Sequence, residues 1–217
     1  MSEVVASVKV CGVCAPADAR MAVAAGASYI GVIRVPGSPR TRPLEVARAV
    51  CAAASGARRV GVFLDAATET ILAEADRLEL DVVQLHGSED PDRLGPLRGR
   101  GLEVWKVVKP AGAEDLVEVA DRFRDWDLLL LEGRSHRGAG GVGARFPWSA
   151  VAAGLDRLPD GLRIGVAGGL TAGNVGEAVR RFRPALVDVS SGVESSPGHK
   201  DADRVRAFIT AVRAVRE

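Results

Sequence analysis

A closed, eight-stranded α/β barrel is the fold class that this sequence predicts, and three observations predict it. Short β-rich apolar runs alternate with segments of helical spacing eight times along the chain. Several of the runs, such as Val82-Val83 with Leu85 and Leu128 to Leu131, are almost continuously apolar, as strands covered by helices on both faces are. The connections between runs are long enough for parallel crossovers, where hairpins would need tight turns. At 217 residues the chain would be a compact (β/α)8 TIM barrel with short loops, since the fold usually takes about 250. Periodicity alone does not show closure, so a doubly wound open sheet is the alternative.

The elements follow in order. Val4 to Val10 is the first strand, and Ala15 to Ala25 is a small-residue helix with Pro16 at its start and Gly26 at its stop. Tyr29 to Ile33, a helix from Pro43 to Ala54 and the strand Arg59 to Phe63 come next. Thr68 to Leu78 reads as a helix, Asp81 to Leu85 as a strand, and Asp90 to Leu97 as a short helix. Strand Glu103 to Val108, helix Ala113 to Phe123 and strand Leu128 to Leu131 follow, then helix Pro147 to Leu155. Strand Leu162 to Ala167, helix Asn174 to Phe182, strand Ala185 to Val189 and helix Asp201 to Val215 complete the series. No linker interrupts it, so one barrel domain over residues 1–217 is expected. The Gly-rich segment Gly138 to Gly143 lies between a strand and a helix, where a surface loop or a ligand-contacting lid are both compatible with it.

Composition narrows the function. With 29 basic and 28 acidic residues the formal charge is +1, too small for a whole-protein field that would attract nucleic acid or anionic lipid. The N-terminus lacks the pattern of a secretion signal and no apolar run is long enough to span a bilayer, so a soluble protein is expected. Cys11, Cys14 and Cys51 are an odd set that fits a reducing cytoplasm. Cys11 and Cys14 have redox-motif spacing, but the strand run before Cys11 places them in a different setting from a thioredoxin-like helix start. A structural zinc would need about four ligands, and only Cys51 and three scattered histidines are left to complete the set.

In such a barrel the active face is built at the C-terminal ends of the strands. Lys9, Cys11, Arg34, Arg40, Asp65, Gln84, His86, Lys109, Glu132 and Asp188 all fall there or just beyond, and this convergence says more than any one of them. Cys11 ends the first strand beside Gly12; to serve as a thiolate near neutrality its pKa must fall, and Lys9 is the nearby positive charge. Glu132 follows four leucines, so its carboxylate is solvated, paired or functional, because unpaired burial is costly. It is the candidate acid. His86 is either a satisfied core group or a positioner of a polar substrate group. Arg40 offers a rigid donor fork to a carboxylate. The loops Gly168-Gly169-Leu170 and Ser190-Ser191-Gly192, after strands seven and eight, suit a phosphate held by backbone N–H groups.

These positions resemble the phosphoribosylanthranilate isomerase family of tryptophan biosynthesis. The likeness is carried by Lys9-Val10-Cys11-Gly12, Ser38-Pro39-Arg40, Asp81 to Gly87, Gly140 to Gly143, Phe146-Pro147-Trp148, Ala167 to Leu170 and Asp188 to Glu194, with Pro197-Gly198 and Lys200-Asp201 beyond. It extends over essentially the whole chain. The resemblance implies an Amadori rearrangement of an aminoaldose phosphate to a 1-amino-1-deoxyketose, with Cys11 as general base and Glu132 as general acid. It also implies that Lys9, Arg34, Arg40, His86 and Asp188 bind substrate, Arg40 at the anthranilate carboxylate and Asp188 at the amino region. Gly141, Gly143, Gly168, Gly169, Ser191 and Gly192 would bind the phosphate. No metal and no organic cofactor is implied, and the partner is a phosphorylated small molecule met by a monomer or homodimer.

Four departures qualify the likeness: Glu132 where the family usually has aspartate, Arg34 where it has an aromatic or apolar residue, His199 for a small apolar residue, and Asp65 where asparagine is frequent. An extra methylene at the acid shifts it by about 1 Å, which costs about a hundredfold if the backbone does not compensate. Arg34 would put a cation at the ligand mouth. Two alternatives follow, a diverged relative acting on another phosphoribosyl or anthranilate-like substrate and a non-catalytic barrel that binds a phosphometabolite. A nicotinamide oxidoreductase fits less well, since no early Gly-x-Gly-x-x-Gly follows the first strand.

Overall fold

The computed structural model describes residues 6–133 and 147–215. Eight parallel strands, β1 (Ser7–Val10), β2 (Tyr29–Ile33), β3 (Arg58–Phe63), β4 (Val82–Leu85), β5 (Glu103–Val108), β6 (Leu128–Leu131), β7 (Ile164–Val166) and β8 (Leu186–Val189), pair in sequence order. β8 pairs with β1, with Lys9 opposite Asp188 and Val10 opposite Val189, so the sheet closes and the open-sheet alternative falls. Around it run α1 (Pro16–Ala25), α2 (Leu44–Ala53), α3 (Thr68–Leu78), α4 (Leu94–Arg98), α5 (Ala113–Arg122), α6 (Trp148–Ala152), α7 (Val175–Phe182) and α8 (Ala202–Arg213).

Strand alternation sorts the apolar side chains into two compartments. Tyr29, Val60, Val82, Trp105, Val107, Leu128, Leu130, Ala167 and Leu186 fill the barrel interior. Their neighbours, among them Ile30, Val83, Val104, Leu129, Val166 and Val187, pack outward against the helices. Trp105 is fully buried, lies edge-on to Tyr29 with ring centroids 5.0 Å apart, and donates its Nε1–H to Glu103 at 2.7 Å. This plugs the end of the barrel away from the site, where Arg58 and Arg163 also pair with Glu103.

Two predicted helices are shorter than their patterns suggest. The segment from Asp90 splits into a 3-10 turn (Pro91–Arg93) and α4, since Pro96 has no N–H to donate to the carbonyl of Asp92. α6 stops at Ala152 and is followed by a 3-10 turn (Leu155–Arg157), while Gly154 lies where a Cβ would come within 2.9 Å of the Ala113 carbonyl oxygen. Sequence periodicity also missed a small hairpin after β8, β9 (Glu194–Ser196) with β10 (His199–Lys200). Pro197-Gly198, with Gly198 at φ 84°, was its readable signal. Asp201 then caps α8, accepting from the backbone N–H groups of Asp203 and Arg204 at 3.0 Å each.

Candidate active site

The same alternation decides which polar side chains reach the rim. Cys11 directly follows β1 and Glu132 directly follows β6, so both lie at the C-terminal ends of parallel strands, on one face of the barrel.

Cys11 is buried, its backbone N–H donating to the Val189 carbonyl at 2.8 Å across the β1–β8 seam. Gly31, inward on β2, makes room for it: a Cβ there would meet Cys11 Sγ and Lys9 Cε at 3.0 Å each. Beneath the thiol, Lys9 is fully buried and donates to Asp188 Oδ2 at 2.8 Å. Burial opposes the Lys9 charge, but Asp188 and Cys11 outweigh it and hold the ammonium above its usual range. Burial likewise pushes the Cys11 thiol up, and Lys9 offsets this only in part. The expected fall in the Cys11 pKa is therefore not met, because desolvation outweighs one partly neutralised cation. Lys9, expected to touch substrate, instead lies sealed under the thiol and Asp188. Asp188 keeps a second oxygen, Oδ1, that is buried and has no hydrogen-bond partner among the described residues.

Across the barrel, Glu132 Oε2 lies 2.9 Å from His86 Nε2 and 3.3 Å from Lys109 Nζ. The side chains of Glu132 and His86 are 21% and 22% exposed, enough to meet a ligand in the mouth. Burial would raise the Glu132 pKa, but the hydrogen bond from His86 and the charges of His86 and Lys109 prevail and hold it below the ordinary glutamate range. Two residues below His86 on β4, Gln84 Nε2 stands 3.5 Å from His86 Nδ1. Asp65 and Glu89 shape the neighbouring turn: Asp65 accepts from the Ser88 N–H, and Glu89 from those of Asp65 and Gly87.

Arg40 is buried, and its Nε and Nη2 clamp Glu194 at 2.8 and 2.6 Å. Lys200 donates to the same carboxylate at 2.8 Å. Burial alone would raise the Glu194 pKa, yet the bonds from Arg40 and Lys200 hold it down to about 2. Gly12, at φ 67°, lets Arg40 approach: a Cβ there would lie 2.6 Å from Arg40 Cδ and 3.1 Å from Ser190 Oγ. Glu194 and Lys200 had no role assigned from sequence, where a charged residue in a short hairpin reads as surface.

The loops after β7 and β8 touch. Gly168 and Gly169 have φ of 86° and 62°, and a Cβ on Gly192 would sit 1.9 Å from the Leu170 carbonyl oxygen. Asn174, just before α7, ties the first loop down, accepting from the Thr171 N–H at 2.8 Å and donating to the Gly169 carbonyl at 2.9 Å. Ser191 opens a 3-10 turn (Ser191–Val193) in the second loop. Gly141 and Gly143, with the whole segment Gly138 to Gly143, lie outside the described residues.

Arg34 corrects the sequence reading. It alternates with the inward Tyr29, Gly31 and Ile33, so it turns onto the helical layer, where Nε and Nη2 bond both oxygens of Glu74 on α3 at 2.6 and 3.0 Å. Nη1 donates to the Arg42 carbonyl at 2.6 Å. A cation held this way does not face the ligand mouth, so Arg34 does not mark a changed substrate. Among the described residues no group of three or more His, Cys, Asp and Glu side chains is arranged to hold a metal ion.

The family model for N-(5'phosphoribosyl)anthranilate (PRA) isomerase matches residues 8–211. An N-(5'-phosphoribosyl)anthranilate isomerase of Cereibacter sphaeroides is 40% identical over 211 residues, covering 95% of this chain and 98% of that one. The Paracoccus denitrificans counterpart is 42% identical over 216 residues, covering 96% and 97%. The crystal structure of phosphoribosyl anthranilate isomerase from Thermotoga maritima superimposes with a TM-score of 0.86 at 34% identity, covering 96% of this chain and 98% of that one. A further structure of the isomerase, in complex with reduced 1-(o-carboxyphenylamino)-1-deoxyribulose 5-phosphate, gives 0.83 at 32% identity, covering 96% and 98%. With the match running from β1 into α8, this chain belongs to the N-(5'-phosphoribosyl)anthranilate isomerase family.

Proposed function

We propose that Cys11 and Glu132 carry the proton transfers of the reaction this isomerase catalyses, conversion of N-(5'-phosphoribosyl)anthranilate to 1-(2-carboxyphenylamino)-1-deoxyribulose 5-phosphate. Glu132, loaded with a proton, gives it to the furanose ring oxygen, and the ring opens to an iminium. Cys11 then takes the proton from C2. The enolamine that results gains a proton at C1 and loses one from its C2 hydroxyl, which restores both groups and leaves the ketone. No redox partner is needed, because C1 and C2 exchange oxidation level within one molecule. Two side chains with separately tuned proton affinities suffice for such chemistry.

The observation that carries this reading is the placement of Cys11 and Glu132 at the ends of β1 and β6 on one rim, with the joined Gly168 and Gly192 loops on the same rim. Those loops suit the phosphate, through backbone N–H groups and the start of α7. Asp188 Oδ1, buried with no hydrogen-bond partner among the described residues, suits a donor such as the substrate's anilino N–H. Arg40 gives one edge of its fork to Glu194, so a substrate carboxylate would meet the opposite edge. Cys11, Cys14 and Cys51 are free thiols, which suits a reducing cytoplasm, and no helix of the described residues is long and apolar enough to cross a membrane. The phosphorylated substrate is met by a monomer or homodimer.

Glu132→Gln tests the acid. Turnover is expected to fall by about a hundredfold or more while product affinity, measured by equilibrium binding, stays within a few fold. Near-normal turnover would remove Glu132 from the role.

A further inference from the structure

His86 follows β4 and meets Glu132 at the end of β6, with β5 between them, so the aim of its imidazole depends on what holds the turn after β4. Along β4 the side chains alternate: Val82 faces the barrel interior and Leu85 the helices, which sets Gln84 and His86 inward. Behind that turn, on the helix side, an ion pair is buried. Lys106 stands opposite Leu85 in the ladder, between the inward Trp105 and Val107 of β5. Its Nζ donates to Glu89 Oε2 at 2.8 Å and to the Gly87 carbonyl at 2.6 Å. The Lys106 and Glu89 side chains are 4% and 1% exposed.

The remaining bonds of Glu89 go to backbone. Oε1 accepts from the Asp65 N–H at 2.8 Å and Oε2 from the Gly87 N–H at 2.9 Å, so one carboxylate ties the loop after β3 to the loop after β4. Asp65 returns the tie, its Oδ1 accepting from the Ser88 N–H at 2.6 Å. Asp65 has a φ of 49°, a left-handed conformation costly for a residue other than glycine, and a Cβ on Gly87 would lie 2.3 Å from its Oδ1. Gly87, the residue after His86, is thus held at both its polar groups, the N–H by Glu89 and the carbonyl by Lys106. A buried ion pair adds little net stability over apolar residues of similar volume, so stability alone does not account for this one.

We infer that Lys106 and Glu89 are positioning residues: from the helix side they clamp the Gly87 peptide and the Asp65 loop, so that His86 is aimed at Glu132, and their effect on the reaction runs through His86. The inference rests on the reading of Glu132 as acid. Both side chains are sealed behind the strands and do not face the mouth, so substrate affinity should be spared while the chemical step suffers.

The test is a double-mutant cycle in the full chain, with Lys106→Met made in the unmodified protein and in His86→Ala. Enzyme concentrations are chosen so that the His86→Ala rate stands well above the uncatalysed one. In the unmodified background kcat should fall by about tenfold or more, since a misplacement of about 1 Å can cost about a hundredfold. Product affinity by equilibrium binding should stay within about threefold, and in His86→Ala the further loss of kcat should be about twofold or less. Normal kcat in Lys106→Met overturns the inference, and so does an equal loss in both backgrounds, which is what a merely structural role would give. Should Lys106→Met fail to fold because Glu89 is left without its counter-charge, Lys106→Met combined with Glu89→Gln removes both charges and goes through the same cycle. The clamp is also read apart from turnover, by hydrogen exchange at the Asp65 and Gly87 amides, which should quicken by about tenfold or more in the variant. Unchanged exchange overturns the clamp whatever the rates. Normal turnover in Glu132→Gln with quickened exchange in Lys106→Met overturns the acid reading instead, so the two failures are distinguishable.

Discussion

Lys9 and Asp188 face each other across the seam where β1 and β8 close the barrel, with Nζ 2.8 Å from Oδ2. One buried pair thus joins the first strand to the last and lies directly under Cys11. Structure and chemistry meet there: the cation that neutralises Asp188 also opposes the burial-driven rise of the thiol.

Lys9→Met therefore has two expected effects. It strands a buried carboxylate, at a cost of about 3 kcal/mol or more in chemical denaturation. It also removes the group that lowers the Cys11 pKa, so the acid limb of kcat/KM, which rises as the thiol ionises, moves to higher pH. A limb that stays in place would mean that Lys9 does not act on the thiol.

Arg34→Met is expected to leave kcat and KM within about twofold, because the guanidinium is turned onto Glu74 rather than into the mouth. Stability should fall by about 1–2 kcal/mol for a half-buried, charge-assisted pair. A large change in KM would return Arg34 to the ligand site.

This contrast shows how much of the site was readable beforehand. The eight strands stood out because both of their faces are apolar, and Thr68–Leu78, Glu103–Val108 and Leu128–Leu131 fell at their observed limits. Cys11 and Glu132 stood out as reactive groups ending apolar runs. The orientation of Arg34 was also legible, since period-two alternation puts it with Ile30 and Val32 on the helix side, away from Tyr29 and Gly31. Partnership across long sequence separation was not: Arg40 meets Glu194 over 154 positions, and nothing local in a Ser-Ser-Pro-Gly hairpin announces a buried carboxylate. The direction of the Cys11 shift was hidden for the same reason, because it depends on how much burial the closed seam imposes.

Glu194 links that partnership to acid stability. Its folded pKa of about 2 lies below the ordinary glutamate value of 4.5, so its contribution is fully present above about pH 4.5 and is lost as pH falls toward 2. The amount is on the order of 3 kcal/mol. Glu194→Gln should be less stable at neutral pH, since Arg40 and Lys200 lose their counter-charge, and should lose less further stability between pH 4.5 and 2 than the unmodified protein. Urea unfolding across that range checks both; parallel pH slopes would contradict the assignment.

The most direct test of the account is turnover of freshly generated N-(5'-phosphoribosyl)anthranilate, followed by its fluorescence, in the unmodified protein and in Cys11→Ser. The account predicts steady isomerisation by the first and a loss of about a thousandfold or more in the second, with product still bound. Comparable rates in the two proteins would contradict it.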